Sequence, residues 1–246
     1  MTETAVVNIE ASREKFAAKV VAPVWHTIVV LALLAGMASL ALLSGGPGHI
    51  AKGHSHVLGY GITMAIEWLI VGFIALGARW GGASLRVLTG RVLPGWRAML
   101  RDLGIAIAYL VVAQVVLGAA SFALSHILPP TPADVIRNML PRTWLENGAF
   151  LLLTLTAGIC EEMIFRGYLQ HQLTAWFGGA ASIVLQGALF GAAHAYQGTA
   201  MVIVIAIFGC MFGLLALWRK NLRPGMLAHF IQDAVGGLVL AKFVLK

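Results

Sequence analysis

Seven apolar blocks divide this chain, and their length restricts the folds that it can adopt. Most are close to the roughly 20 residues that an α-helix needs to cross about 30 Å of hydrocarbon. The blocks are Val24–Leu43, Val57–Leu76, Leu103–Leu124, Gly148–Leu169, Ala180–Ala195, Ala200–Trp218 and Leu222–Val244. The alternating segments of about 10 residues that are typical of a membrane β-barrel are absent from the sequence. The pattern predicts an all-α, polytopic transmembrane helical bundle of about seven spans.

Composition supports a membrane protein and excludes an ordinary soluble domain. Hydrophobic residues make up 59% of the chain and charged residues only 11%, whereas soluble domains carry about 25% charged residues. The net charge of +7 comes largely from arginines beside the apolar blocks, where anionic lipid headgroups are the ordinary partners. We therefore expect a lipid bilayer as partner and no nucleic acid.

Residues 1–22 mix polar and apolar side chains, which predicts an interfacial amphipathic helix before the first span. Residues 23–246 contain no linker that would separate domains, so we predict a single membrane-embedded domain. Arg79, Arg86 and Arg91 belong to an arginine-rich loop after the second span. The positive-inside rule then places the amino terminus in the cytoplasm.

Charged residues occur where the fourth span should be apolar, in the run Cys160-Glu-Glu-Met-Ile-Phe-Arg166. Ionisable residues within a membrane are costly and indicate a functional site by default. Glu162 and Arg166 are four residues apart and can form an ion pair on one helical face. Glu161 is rotated by about 100° from Glu162, so it should project elsewhere and stay free to act.

Two histidines in later spans complete a candidate site. His194 lies in an apolar segment without an obvious local partner, and His229 precedes Asp233 by four residues, on one helical face. Each feature alone is compatible with a structural role. Together, Glu161, His194 and His229 could activate a water molecule and stabilise a tetrahedral oxyanion, as peptide-bond hydrolysis requires. The same three groups could instead hold a divalent metal such as zinc.

The ordered motifs resemble those of a known family. Glu161-Glu162-x-x-x-Arg166, Phe190-x-x-x-His194 and His229-x-x-x-Asp233 are similar to the three motifs of the CPBP family, the CAAX prenyl endopeptidases and bacteriocin-processing proteins, also called the abortive-infection family. The resemblance is confined to the region 148–244. It implies an intramembrane endopeptidase of a bacterial inner membrane, acting on a membrane-associated peptide or a prenylated protein.

The resemblance also implies roles for individual residues. Glu161 would be the general base, His194 would help to bind the water, and His229 and Asp233 would stabilise the oxyanion. Glu162, Arg166 and Phe190 would support the site. Asp233 departs from the family, whose last motif often ends in asparagine, since an ionised carboxylate cannot donate a hydrogen bond to an oxyanion. We expect no obligatory cofactor, although zinc at Glu161, His194 and His229 stays an alternative.

Two other functions remain open from the sequence. In a non-catalytic membrane protein, such as an immunity factor or a scaffold, the polar residues would only hold helices together. A proton-coupled transporter would use intramembrane Glu and His residues as a relay. Glu67 in the second span favours that alternative, and we expect it to be a packed or pore-facing carboxyl outside the catalytic set.

Overall fold

The fold is an all-α bundle, described here by a computed structural model over residues 20–44, 56–90 and 95–244. The predicted amphipathic helix falls on residues 1–22, of which 1–19 lie outside the described residues. The helices, in chain order, are α1 Val24–Ser44, α2 His56–Trp80, α3 Leu85–Thr89, α4 Trp96–Leu124, α5 Ala133–Met139, α6 Trp144–Glu161, a π-helical segment Glu162–Leu169, α7 Gln170–Phe177, α8 Gly179–Ala193, a 3₁₀ turn Ala195–Gln197, α9 Thr199–Arg219 and α10 Arg223–Val244.

Six helices in the described ranges are long and apolar enough to cross a membrane, so the chain is an integral, multi-pass membrane protein. The predicted fold class is confirmed. The predicted fifth span corresponds to α8, which has only 15 residues. At 1.5 Å per residue α8 is about 22 Å long and too short to cross about 30 Å of hydrocarbon.

The fourth span is longer than predicted, because α6, the π-helical segment and α7 form one helix of 34 residues, Trp144–Phe177. Thr143 caps its start by accepting a hydrogen bond from the Glu146 amide at 3.2 Å. Gly178 ends it with a φ of 81°, in the region that glycine adopts most readily. The helix is π-helical over Glu162–Leu169, and such interruptions occur often at functional sites.

A buried polar network attaches the beginning of α1 to this long helix. The Gln172 side chain accepts a hydrogen bond from the Val21 amide at 2.6 Å and donates one to the Thr27 hydroxyl at 2.8 Å. The Tyr168 hydroxyl lies 2.7 Å from Nδ1 of His26 and 2.8 Å from the Thr27 hydroxyl. These contacts hold the π-helical segment and α7 against the beginning of α1.

Glycines bring α8 and α9 into close contact. A Cβ atom on Gly209 would lie 2.9 Å from the Cα atom of Gly187. At that distance one of the two helices would have to move. The sequence places Gly187 and Gly191 at one GxxxG spacing, and Gly209 and Gly213 at another, which predicts such packing. The structure confirms the close packing of these two helices.

Candidate active site

The candidate site is centred on the imidazole of His229, in the first turns of α10. Its Nδ1 atom lies 3.3 Å from Oε1 of Glu162, and its Nε2 atom lies 3.4 Å from Oδ2 of Asp233 and 3.6 Å from Oε2 of Glu161. The Phe212 ring stacks on the imidazole with ring centroids 5.3 Å apart. Both nitrogens thus face carboxylate oxygens, an arrangement that suits a ring carrying a proton on each nitrogen.

Glu162 and Arg166 form the predicted ion pair, with Nη1 of Arg166 2.9 Å from Oε1 of Glu162. Arg166 is only 1% exposed, and its Nη2 atom donates to the Gly209 carbonyl at 3.2 Å. Its guanidinium also lies over the rings of Phe190 and Phe212, 4.3 and 4.9 Å from their centroids. Arg166 therefore neutralises Glu162 and, at the same time, joins the long helix to α8 and α9.

His194 caps the carboxyl end of α8, directly above Phe190 in the same helix. Nδ1 of His194 lies 2.8 Å from the Phe190 carbonyl oxygen. A carbonyl only accepts, so Nδ1 donates this hydrogen bond, and in that tautomer Nε2 can accept one. The Phe190 ring lies between the histidines, with centroids 4.9 Å from His194 and 5.8 Å from His229.

The structure thus brings the sequence-predicted residues into one region. The three carboxylates of Glu161, Glu162 and Asp233 lie around His229. Arg166 pairs with Glu162, and the Phe190 ring contacts both His194 and His229. Glu161 and Glu162 reach opposite nitrogens of the same imidazole, Nε2 and Nδ1 respectively. Only Glu162 is paired with Arg166.

The alternative metal site at Glu161, His194 and His229 stays a prediction. Zinc would need a lone pair on each histidine ligand and ligand distances of about 2.0–2.2 Å. In the structure Nε2 of His229 lies 3.6 Å from Oε2 of Glu161. Throughout the part of the chain that the structure describes, no three His, Cys, Asp or Glu side chains are grouped to hold a metal ion.

Several residues around the site were not identified from the sequence. Gln186 in α8 donates to the Gly209 carbonyl at 2.9 Å, and Gln170 donates to the Gly213 carbonyl at 3.0 Å. The Tyr196 ring lies 6.0 Å from the His194 ring, and burial raises the pKa of its phenol, which keeps it a neutral hydrogen-bond donor. Buried amides within apolar helices are the signal that could have indicated Gln170 and Gln186.

Comparison with known proteins supports the family resemblance. The family model described as "Type II CAAX prenyl endopeptidase Rce1-like" matches residues 143–235, which include all three motifs. The uncharacterized protein YpbD of Bacillus subtilis (strain 168) is 34% identical over 85 residues, which cover 35% of this chain and 42% of that protein. The chain therefore spans less than half the length of this relative. No solved structure matches the chain significantly.

The matched segment runs from the cap of α6 through the end of the His229-x-x-x-Asp233 motif, so the family match and the candidate active site coincide. Residues 143–235 of this chain therefore match the Rce1-like family model, and this match confirms the resemblance to the CPBP family of CAAX prenyl endopeptidases and their relatives.

Proposed function

We propose that this protein is an intramembrane endopeptidase that hydrolyses a peptide bond in a membrane-associated, prenylated peptide. The observation that carries the proposal is the convergence of Glu161 and Asp233 on His229 within the Rce1-like domain. Ionisable side chains grouped around one imidazole within membrane-spanning helices are costly, and hydrolysis would use them.

Glu161 acts as the general base in this proposal. Its side chain is 14% exposed, in contrast to 1% for Glu162. Its Oε2 atom has no hydrogen-bond partner among the described residues, although Nε2 of His229 lies 3.6 Å away. Glu161 can therefore accept a proton from a water molecule, whereas Glu162 is already paired with Arg166. General-base catalysis of this kind contributes about 10²–10⁴-fold to a rate.

His194 orients the attacking water. Its proton at Nδ1 is committed to the Phe190 carbonyl, so Nε2 is available to accept a hydrogen bond from water. This role requires a fixed orientation and tautomer of the imidazole, which the contact with the Phe190 carbonyl favours. Phe190 also packs between the two histidines and helps to exclude bulk water from the region.

His229 stabilises the oxyanion, and Asp233 keeps its imidazole protonated. Asp233 lies 3.4 Å from Nε2 of His229, which supports an indirect role for this carboxylate rather than donation to the oxyanion. When Glu161 takes the proton from water, its negative charge disappears and its attraction for the Nε2 proton weakens. The proton at Nε2 can then be shared with the oxyanion that forms at the same moment.

The orientation and the substrate are also part of the proposal. Arg219 and Arg223 contact the buried carboxylate of Asp102 at 3.4 and 2.7 Å, at the end of the bundle where α9 ends and α10 begins. We assign this basic end to the cytoplasm by the positive-inside rule, so the amino terminus is cytoplasmic and the site is reached from that side. The prenylated substrate follows from the description of the matching family.

The experiment compares the wild type with Glu161→Gln, which preserves the size of the side chain and removes the base. Terminal-peptide profiling of membranes should show products that disappear in Glu161→Gln. A purified assay with a synthetic peptide carrying a prenylated cysteine tests cleavage directly. Glu146→Gln is the matched control, because Glu146 is a buried carboxyl near the opposite end of α6. An identical product profile in the wild type and Glu161→Gln would refute proteolysis and favour a non-catalytic membrane protein.

A further inference from the structure

Glu67 is a buried carboxyl that has no role in the mechanism proposed above. It lies in the middle of α2 and is 2% exposed, and its Oε2 atom has no hydrogen-bond partner among the described residues. Leaving such a group inside a membrane protein is costly, so its presence calls for a function.

The packing of α2 against α6 places Glu67 beside the candidate active site. His56 at the start of α2 pairs with Glu146 at the start of α6, with Nδ1 and Oε2 3.4 Å apart. Eleven residues further along each helix are Glu67 and Ala157. Both helices run in the same direction, so Glu67 lies at the depth of Ala157, about one helical turn before Glu161.

Apolar contacts above and below confirm this register. Before Glu67, the Tyr60 ring contacts the Phe150 ring with centroids 5.8 Å apart. Beyond it, Ile70 and Ile74 belong to the same buried cluster as Cys160. Glu67 also lies within electrostatic range of Glu161, His229 and Asp233.

The charges of the cluster favour a neutral Glu67. Arg166 offsets Glu162, and a protonated His229 offsets only one of its two other carboxylate neighbours, Glu161 and Asp233. A negative charge on Glu67 would add a second uncompensated charge, on a residue that is itself shielded from solvent. A carboxyl in that environment is more stable as the neutral acid, and a neutral acid can donate a proton.

We propose that Glu67 is the general acid that protonates the leaving amine. This inference rests on the proposed function. Glu161 takes a proton from water as the water oxygen bonds to the carbonyl carbon. The C–N bond then breaks, its electron pair goes to nitrogen, and the carboxyl proton of Glu67 passes to that nitrogen. The proton held by Glu161 returns through water to Glu67, which restores both groups.

Two substrates with the same sequence can distinguish a general-acid role of Glu67 from a purely structural role. One is a peptide with a prenylated cysteine and an ordinary scissile amide, and the other carries a thioester at that bond. An amine cannot leave without a proton, whereas a thiol with a pKa near about 8.5 leaves readily as the thiolate. Glu67→Gln should lower kcat on the amide by about 10²-fold or more, with KM unchanged, and lower kcat on the thioester by less than about threefold.

Three variants serve as controls. Glu161→Gln should lose activity on both substrates, because both need an activated water. Glu146→Gln should change the two rates by the same factor. Glu67→Asp keeps an acid that is one methylene shorter and should recover part of the amide activity lost in Glu67→Gln. Thermal unfolding in detergent, measured for each variant, shows whether the protein used in the assay is folded.

The outcomes distinguish this inference from the proposed function. Equal losses on amide and thioester in Glu67→Gln, or no loss on either, would overturn the role of Glu67 while leaving proteolysis intact. The same conclusion would follow if Tyr196→Phe, rather than Glu67→Gln, cleaved the amide slowly and the thioester at nearly the wild-type rate. The proton would then come from Tyr196. A wild-type protein that cleaves neither substrate would refute both proposals.

Discussion

Removal of Arg166 should destabilise the protein more than most single substitutions. Arg166→Met keeps much of the side-chain volume but deletes the 2.9 Å contact with Glu162 and the hydrogen bond to the Gly209 carbonyl. Glu162 is 1% exposed and would keep only His229 as a partner. Breaking a buried ion pair by removing one member typically lowers the free energy of unfolding by about 3–5 kcal/mol, and we expect a loss in that range.

A double-mutant cycle tests the reasoning. Glu162→Gln alone leaves Arg166 as an unpaired buried cation, so its loss should be similar. Glu162→Gln combined with Arg166→Met removes both charges, and the double variant should be more stable than the sum of single losses predicts by about 2–3 kcal/mol. The assay is reversible unfolding of purified protein in mixed detergent micelles. Additive losses, or a loss below about 1 kcal/mol for Arg166→Met, would contradict the assigned role of the pair.

Three further predictions concern packing, the oxyanion and metal dependence. Gly209→Ala should lower the free energy of unfolding by about 1–3 kcal/mol, because its Cβ would meet the Gly187 backbone. Gly118→Ala, with open space around its Cβ, should be neutral or stabilising, and equal thermal shifts for the two variants would contradict the close approach. Asp233→Asn should lower kcat by about tenfold through weaker protonation of His229, equivalent to about 1.4 kcal/mol; unchanged or higher activity would show that the acid is not required. Treatment with chelators should leave cleavage of the prenylated peptide unchanged, and loss of activity restored by zinc would refute the metal-free mechanism.

The sequence predicted two side-chain pairs of the site because spacing along a helix fixes which neighbours can meet. The pair Glu162–Arg166 and the pair His229–Asp233 are each four residues apart, so a single helical turn brings them together. The apolar blocks likewise predicted the helices, since only a helix satisfies every backbone group within hydrocarbon. Local rules of this kind need no knowledge of the rest of the chain.

The sequence was less informative where the local helical geometry or the length of a helix differed from that of a regular membrane span. It did not predict the π-helical segment Glu162–Leu169, which interrupts the long helix at the candidate site. It also predicted a full span where α8 ends at Ala193, directly before His194.

What the sequence determined by itself is an integral membrane protein of apolar helices with three ordered motifs, because span length, hydropathy and helical spacing are properties of consecutive residues. Only the tertiary structure decided that Glu161, Glu162 and Asp233 approach one imidazole. It alone also placed Glu67, 94 positions before Glu161 in the chain, at nearly the same depth as that residue. Such contacts depend on how separate helices pack, and packing between distant segments leaves no regular spacing in the sequence.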